Sequence, residues 1–156
     1  MKQKITTFLW FEHQAEEVAR FYVSTFKNSE ITSISRAGGE HGSVISVTFQ
    51  LEGQPFIALN GGPEYKFTPA ISLFVDCIDQ HETDELWARL SDGGKPGRCG
   101  WLEDRFGLSW QIIPRALAEM LQDEDVEKSQ RALHAMFTMG KIDIEALRRA
   151  HSGASD

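Results

Sequence analysis

Hydrophobic and polar positions along the chain follow the period of a strand in some segments and that of a helix in others. Residues 4–11 are rich in β-branched and aromatic side chains, which is typical of a strand. From Gln14 to Phe26 the apolar positions recur at helical spacing, at Val18, Phe21, Tyr22 and Phe26. The chain therefore begins with a predicted strand followed by a predicted helix.

Three more strands are predicted in the first half of the chain. Residues 30–35, 43–51 and 54–60 are separated by turn signals at Gly38-Gly39 and Glu52-Gly53. Alternate residues of the middle strand are apolar and share one face, namely Ile45, Val47, Phe49 and Leu51. The first half is thus predicted to be a βαβββ module.

The second half repeats this plan. A strand over 70–76 is followed by a helix from Gln80 to Leu90, which ends at Gly93-Gly94, and by strands near 97–103 and 108–113. A shift of the sequence by roughly 65 residues aligns the aromatic helix positions of the two halves, as expected for an internal duplication.

A sheet with one helix buries only one of its faces, which sets the expected fold class. We predict an α+β fold in which two βαβββ modules form curved sheets around a shared pocket, with the helices outside. Residues 1–113 would form this paired domain, and residues 114–156 a helical extension of the same domain. Three helices are predicted in this extension, over 115–121, 125–139 and 144–150. The second helix has an apolar face of Val126, Leu133, Met136 and Phe137, and Asp143 is the predicted cap of the third. The extension packs on its own domain or builds a dimer contact, and composition does not distinguish these alternatives.

Composition and charge narrow the range of partners. The 156-residue chain is 41% hydrophobic, carries a net charge of −7 and has no cluster of Lys or Arg, which argues against nucleic acid and anionic membranes. No stretch approaches the roughly 18 apolar residues of a membrane span, and no signal cleavage site follows the short apolar run at the start. We expect a cytoplasmic protein that binds a small molecule.

The two cysteines give little sign of chemistry. Cys77 and Cys99 do not form a Cys-x-x-Cys pair, so neither a zinc knuckle nor a dithiol redox motif is indicated, and both are expected to be buried, reduced thiols. The alternative, Cys99 as a nucleophile, requires a cationic neighbour to lower its pKa, and Arg98 is the only one adjacent in sequence.

Several segments together carry a family resemblance. LNGGPEYKFTPAISLFVDC, DELWARLSDGGK, CGWLEDRFGLSWQIIP and MGKIDIEAL resemble the PhnB-like branch of the glyoxalase, bleomycin-resistance and ring-cleaving dioxygenase superfamily, which has the vicinal oxygen chelate fold. The resemblance implies this fold and a homodimer. Members of the branch are often described as 3-demethylubiquinone 3-methyltransferase-like, but one fold of this kind supports many functions.

The resemblance also implies where a metal would bind. Metal-dependent members place histidine on the first and fifth strands and carboxylates on the fourth and eighth, because a divalent first-row ion needs such donors to converge. The matching positions here are neutral: Thr7, Ala58 or Asn60, Ala70 or Ser72, and Gln111. We therefore expect no metal and no cofactor.

Two other sites would contradict the expectation of no metal and no cofactor, namely a displaced metal site and a methyl-donor site. A displaced metal site would need at least two of the five histidines to converge, namely His13, His41, His81, His134 and His151, which are expected at junctions, in a turn, on a helix and in the tail. A methyl donor usually lies over a glycine-rich turn between a parallel strand and a helix, and none of the glycine pairs has that context.

The remaining candidates line the predicted pocket. If alternation holds, the residues facing inward are Thr7, Leu9, Phe11, Asn60, Ser72, Phe74, Ser109 and Gln111, while Phe8, Trp10, Ile71, Leu73, Trp110 and Ile112 face the helices or a neighbouring subunit. The candidate ligand-binding residues are Thr7, Leu9, Asn60, Ser72, Phe74, Trp101 and Gln111.

Three interpretations follow. The first is a metal-free, non-catalytic homodimer that binds or sequesters a small molecule. The second is an enzyme of the same superfamily, either metal-dependent or a methyltransferase. The third is a filled interior whose polar groups bond to one another and which binds no ligand.

Overall fold

The computed structural model describes residues 3–154, and the chain divides into two compact units, Met1–Lys66 and Phe67–Asp156. The first two and last two residues of the predicted domains lie outside the described residues. No helix within 3–154 is long and apolar enough to cross a membrane.

The first unit has the predicted βαβββ order. Its elements are β1 (Thr7–Phe11), α1 (Ala15–Thr25), β2 (Glu30–Arg36), β3 (Val44–Leu51) and β4 (Gln54–Asn60). The sheet order is β1-β4-β3-β2, with β1 parallel to β4 and the other pairs antiparallel. The first strand is shorter than predicted, since it begins at Thr7.

One face of this sheet is covered by α1. The register aligns Leu9 with Ala58 and Ala58 with Val47, and all three side chains are buried. The helix contributes its own apolar stripe, in which Tyr22 lies 6.3 Å from the ring of Phe49. Burial of this face provides the core of the first unit.

The second unit begins with the same plan. Its elements are β5 (Ser72–Cys77), α2 (Gln80–Ser91), β6 (Lys95–Pro96), β7 (Trp101–Glu103) and β8 (Ser109–Pro114). The sheet order is β5-β8-β7-β6, with the first strand again parallel to the last. Of the strand expected near 97–103, only Trp101–Glu103 is a strand, and the short strand β6 precedes it and pairs with it antiparallel. The interruption falls at Cys99 and Gly100, which adopt left-handed φ values of 57° and 83° that no continuous strand allows.

Three helices complete the second unit, at α3 (Arg115–Leu121), α4 (Val126–Phe137) and α5 (Ile144–Ser152). Asp143 caps α5 as predicted, because its Oδ1 accepts a hydrogen bond from the amide of Ala146 at 3.1 Å.

The apolar face predicted for α4 is wrong at both ends. Val126 is 69% exposed and Phe137 54% exposed. The buried position of α4 is Ala132, and Ala135 and Met136 pack partly against the same cluster. Helix α4 carries two rows of apolar side chains. The row with the smaller side chains packs against the neighbouring helices, because small side chains allow the helix axes to approach more closely. The buried cluster consists of Ile113, Leu117, Met120, Ala132, Ile142 and Leu147.

A buried carboxylate organises the hairpin between β7 and β8. Asp104 is only 2% exposed, and its Oδ1 accepts hydrogen bonds from the amides of Phe106 and Leu108. Its Oδ2 accepts a third bond from the indole Nε1 of the buried Trp110 at 2.8 Å. The turn is closed by the bond from the Gly107 amide to the Asp104 carbonyl. One side chain therefore fixes both the turn and a large core residue.

We predict that Asp104→Asn destabilises the protein. An amide presents one oxygen and one NH2 group, so at least one of the three donors around Asp104 loses its acceptor. The expected loss is about 1–3 kcal/mol in the free energy of unfolding, measured by urea unfolding. Asp92→Asn is the control, since Asp92 is exposed and pairs with Arg105 at the surface. Equal midpoints for the two variants would contradict the role given to Asp104.

Candidate functional site

One face of the second sheet is left free by its helix. The helix α2 packs on β5, β7 and β8, on the face where Leu102, Trp110 and Ile112 are buried. Because side chains alternate along a strand, the intervening residues lie on the opposite face. We call this the Gln111 face, and it consists of Ser72, Phe74, Trp101, Glu103, Ser109 and Gln111.

Strand pairing arranges the Gln111 face in two rows. Gln111 lies between Phe74 on one neighbouring strand and Trp101 on the other. In the next row Ser109 lies between Ser72 and Glu103. Four of the predicted ligand-binding residues therefore share one face.

The amide of Gln111 is only partly satisfied. Its Nε2 donates to the Oγ of Ser72 at 3.0 Å. Within the described part of the chain, its Oε1 accepts no hydrogen bond. The side chain is half-buried, and an amide oxygen can accept a hydrogen bond from a hydroxyl or N–H group.

Two aromatic side chains flank this amide. Neighbouring strands lie about 4.8 Å apart, so Phe74 and Trp101, one strand to either side of Gln111, begin about 10 Å apart. This separation equals about two aromatic stacking distances. Phe74 is 59% exposed and Trp101 is half-buried. The amide therefore has an aromatic residue on the strand to either side of it.

Glu103 is the member of this face that the sequence reasoning missed. It pairs with Ser109 and is half-buried. The signal was available, because Glu103 lies two residues after Trp101 in a strand and alternation places both on one face. Its carboxylate supplies an acceptor beside the two serines.

The remaining three candidates lie elsewhere, and the expected direction of their side chains is wrong. Thr7 and Leu9 are on the face of the first sheet that α1 covers, as is Phe11. Asn60 lies at the same side, where its Oδ1 accepts from the amide of Ala15 at 2.8 Å and its Nδ2 donates to the carbonyl of Val44. Asn60 therefore provides a hydrogen-bond acceptor for a backbone amide in the first turn of α1. Alternation gives the period of a strand but does not say which face the helix covers.

The helix-free face of the first sheet carries the residues expected to face outward there. Phe8 is 55% exposed, and Trp10 lies two residues further along β1. The indole Nε1 of Trp10 donates to the carbonyl of Gly62, and the ring of Tyr65 meets it edge-on at 4.9 Å. A β-carbon at Gly61 would lie 2.3 Å from the indole, so glycine is required there. The pair Gly61-Gly62 therefore supports a tryptophan.

Metal-ligating side chains do not cluster in residues 3–154: no group of three His, Cys, Asp or Glu could hold a metal ion. Two of the histidines pair with carboxylates instead, His81 with Glu85 at 3.1 Å and His151 with Asp123 at 2.8 Å. At the matched positions Ser72 and Gln111 offer only neutral oxygens, which a divalent first-row ion binds weakly.

The two cysteines differ in environment. Cys77 is buried as predicted, and desolvation by that burial raises the pKa of its thiol to about 11, so the thiol is protonated at neutral pH. Cys99 is only half-buried, contrary to expectation, and lies in the left-handed turn before β7. Neither position shows the paired thiols of a redox site.

Comparison with known proteins places this geometry in a family. The family model for 3-demethylubiquinone-9 3-methyltransferase matches residues 3–113. A PhnB protein from Bacillus cereus, described as a 3-demethylubiquinone-9 3-methyltransferase, is 42% identical, with 72% of this chain and 99% of that chain covered and a TM-score of 0.65.

A more distant structure also shares the fold. A protein from Pseudomonas aeruginosa is 16% identical over 72% of this chain and 98% of its own, with a TM-score of 0.60. A glyoxalase/bleomycin resistance protein from Albidiferax ferrireducens is 15% identical over 69% and 96%, with a TM-score of 0.44. No protein with a curated description matches the chain significantly.

The internal repeat, the two mixed sheets and these matches agree with one another. The chain belongs to the 3-demethylubiquinone-9 3-methyltransferase family, whose model covers most of it, and is similar to the PhnB protein of Bacillus cereus.

Proposed function

We propose that this protein binds or sequesters a planar, uncharged small molecule on the Gln111 face, without a metal ion, as a cytoplasmic homodimer. The observation that carries the proposal is the free Oε1 of Gln111 between two aromatic side chains. Aromatic walls provide stacking energy, and a single oriented amide provides direction. The Gln111 amide does not ionise, which favours a binding role over acid–base catalysis by that side chain.

The polar groups of this face favour one kind of ligand. Gln111 Oε1 and the Glu103 carboxylate both accept hydrogen bonds, so the ligand should carry a hydroxyl or N–H donor at its edge. The two rows lie side by side, so both acceptors meet the same edge of a ring held between Phe74 and Trp101. A flat ring with one or two donors satisfies both requirements.

The alternative is an enzyme of the same superfamily. The family description and the name of the Bacillus cereus relative favour methyl transfer for those proteins. In this chain Gly61-Gly62 packs against Trp10, and Gly93 follows the end of α2, so neither pair lies between a parallel strand and a helix. Turnover of S-adenosylmethionine, or of a substrate with added divalent metal, would favour the enzyme over a binding protein.

The binding role predicts a specific effect of Gln111→Ala. With 1-naphthol as a neutral planar probe, the wild type should show a rise in melting temperature that grows with probe concentration. The variant should bind the probe about tenfold more weakly, the equivalent of one good hydrogen bond, while its melting temperature without probe changes little.

The control for this experiment is Gln130→Ala, which removes an exposed amide from α4 in the same unit. It should leave both measurements unchanged. A large loss of baseline stability in Gln111→Ala, with no response of the wild type to the probe, would instead identify a structural amide in a filled interior.

The metal-free state predicts the composition of the purified protein. Elemental analysis should find well under about 0.1 metal ion per chain, and a chelator should leave the melting temperature unchanged, because no bound ion stabilises the folded state. Added zinc, nickel or iron should produce no saturable shift. Stoichiometric metal after purification would overturn this part of the proposal.

The homodimer predicts a solution mass of two 17.6 kDa chains in sedimentation at micromolar concentration. The mass should be independent of the probe. A single-chain mass under the same conditions would contradict the dimer but not the binding site, since the residues of the Gln111 face all belong to one unit.

A further inference from the structure

The connection between α4 and α5 forms hydrogen bonds with two other segments of the second unit. We call residues Met139–Ile144 the strap. On one side its carbonyls at Met139 and Gly140 accept hydrogen bonds from the amides of Cys99 and Gly100, at 2.8 and 2.9 Å. On the other side it bonds to Gln80 at the start of α2.

We infer that the strap positions Trp101 on the Gln111 face, and that Gln80 is the residue that anchors it. The inference rests on the proposed function, because Trp101 is one of the two aromatic walls of that site. The family model ends at residue 113, so the strap belongs to the part of the chain that lies outside it. The helices after residue 113 would then shape the binding site of the module that the family model matches.

The turn before Trp101 needs external support. Cys99 has a φ of 57°, a conformation that a residue with a β-carbon rarely adopts and that persists only where its surroundings hold it. The two strap bonds hold this residue and the next one. The Gly100 carbonyl in turn accepts from the amide of Ile112 at 2.7 Å. The conformation that leads into Trp101 is thus fixed from the strap and from β8.

Side-chain packing reinforces these bonds. Ile142 in the strap is fully buried. A β-carbon at Gly100 would lie 3.2 Å from Ile142 Cγ1 and 2.6 Å from Ile113 Cδ1, so these three residues are in close contact. Ile113 is two residues after Gln111 in β8. The strap therefore contacts residues next to both Trp101 and Gln111.

Gln80 uses its whole side-chain amide to hold the strap. Its Nε2 donates to the carbonyl of Ile142 at 2.9 Å and to Asp84 Oδ1 at 2.8 Å, and its Oε1 accepts from the amide of Ile144 at 2.8 Å. Both a donor and an acceptor are required at this place, which an amide provides and a carboxylate does not. Asp84 also pairs with Lys141 of the strap.

The test compares amide hydrogen exchange in Gln80→Ala and in the full-length wild type. If the strap positions the turn, exchange of the Cys99 and Gly100 amides should accelerate at least about tenfold, since two anchoring bonds are lost. The affinity for 1-naphthol should fall at least about threefold. Gln80→Glu keeps the acceptor for Ile144 but places an oxygen opposite the Ile142 carbonyl and Asp84, so it should also accelerate exchange and serves as the second variant if Gln80→Ala folds poorly.

Arg131→Ala is the matched control. Arg131 also stabilises the extension, through bonds to the carbonyls of Ala150 and His151, but it does not bond to the strap. It should leave exchange at Cys99 and Gly100 and the affinity for the probe unchanged. Equal acceleration in Arg131→Ala and Gln80→Ala would overturn the inference, because general loosening of the extension would then explain both.

The outcomes separate this inference from the proposed function. A wild type that does not bind 1-naphthol contradicts the proposed function, while the exchange rates still test whether the strap holds the turn before Trp101. Faster exchange in Gln80→Ala with unchanged probe affinity would overturn the positioning role. Unchanged exchange would overturn the support of the turn by the strap.

Discussion

A single helix can cover only one face of a four-stranded sheet, and the location of the candidate site depends on this constraint. In the first unit α1 covers the side of β1 that carries Leu9 and Phe11. In the second unit α2 covers the side of β8 that carries Trp110 and Ile112. The opposite faces keep exposed aromatic side chains and polar groups. These are the surfaces on which proteins that share a fold can differ in chemistry.

The order and type of most elements could be predicted from the sequence because they depend on local periodicity. The repeat, α1, α2 and the helical extension were predicted within a few residues. The face of each strand was harder to predict. The expected face matches the structure for Ser72, Phe74 and Gln111, which lie opposite the side covered by α2, and does not match it for Asn60 and Thr7. Polar character suggested a pocket for Asn60, whereas its actual partners are backbone groups of α1 and β3.

Other features depend on contacts that no local pattern records. The strand near 97–103 is broken at Cys99 because residues 40 positions later bind its backbone. Glu103 was missed although alternation from Trp101 places it on the same face of β7. The packed face of α4 was predicted wrongly for a related reason. The large side chains of Val126 and Phe137 suggested one face, whereas Ala132 and Ala135 lie on the face that packs against the buried cluster.

The carboxylate of Asp104 bears on the order in which the second sheet assembles. Its bond to Trp110 spans six residues, so the hairpin of β7 and β8 closes a short loop at little entropic cost. The pairing of β5 with β8 joins Ser72 to Ser109, a much longer separation along the chain. The β7–β8 hairpin therefore closes at a lower loop-entropy cost than the β5–β8 pairing, and the carboxylate that serves the turn also holds the strand beside which β5 lies.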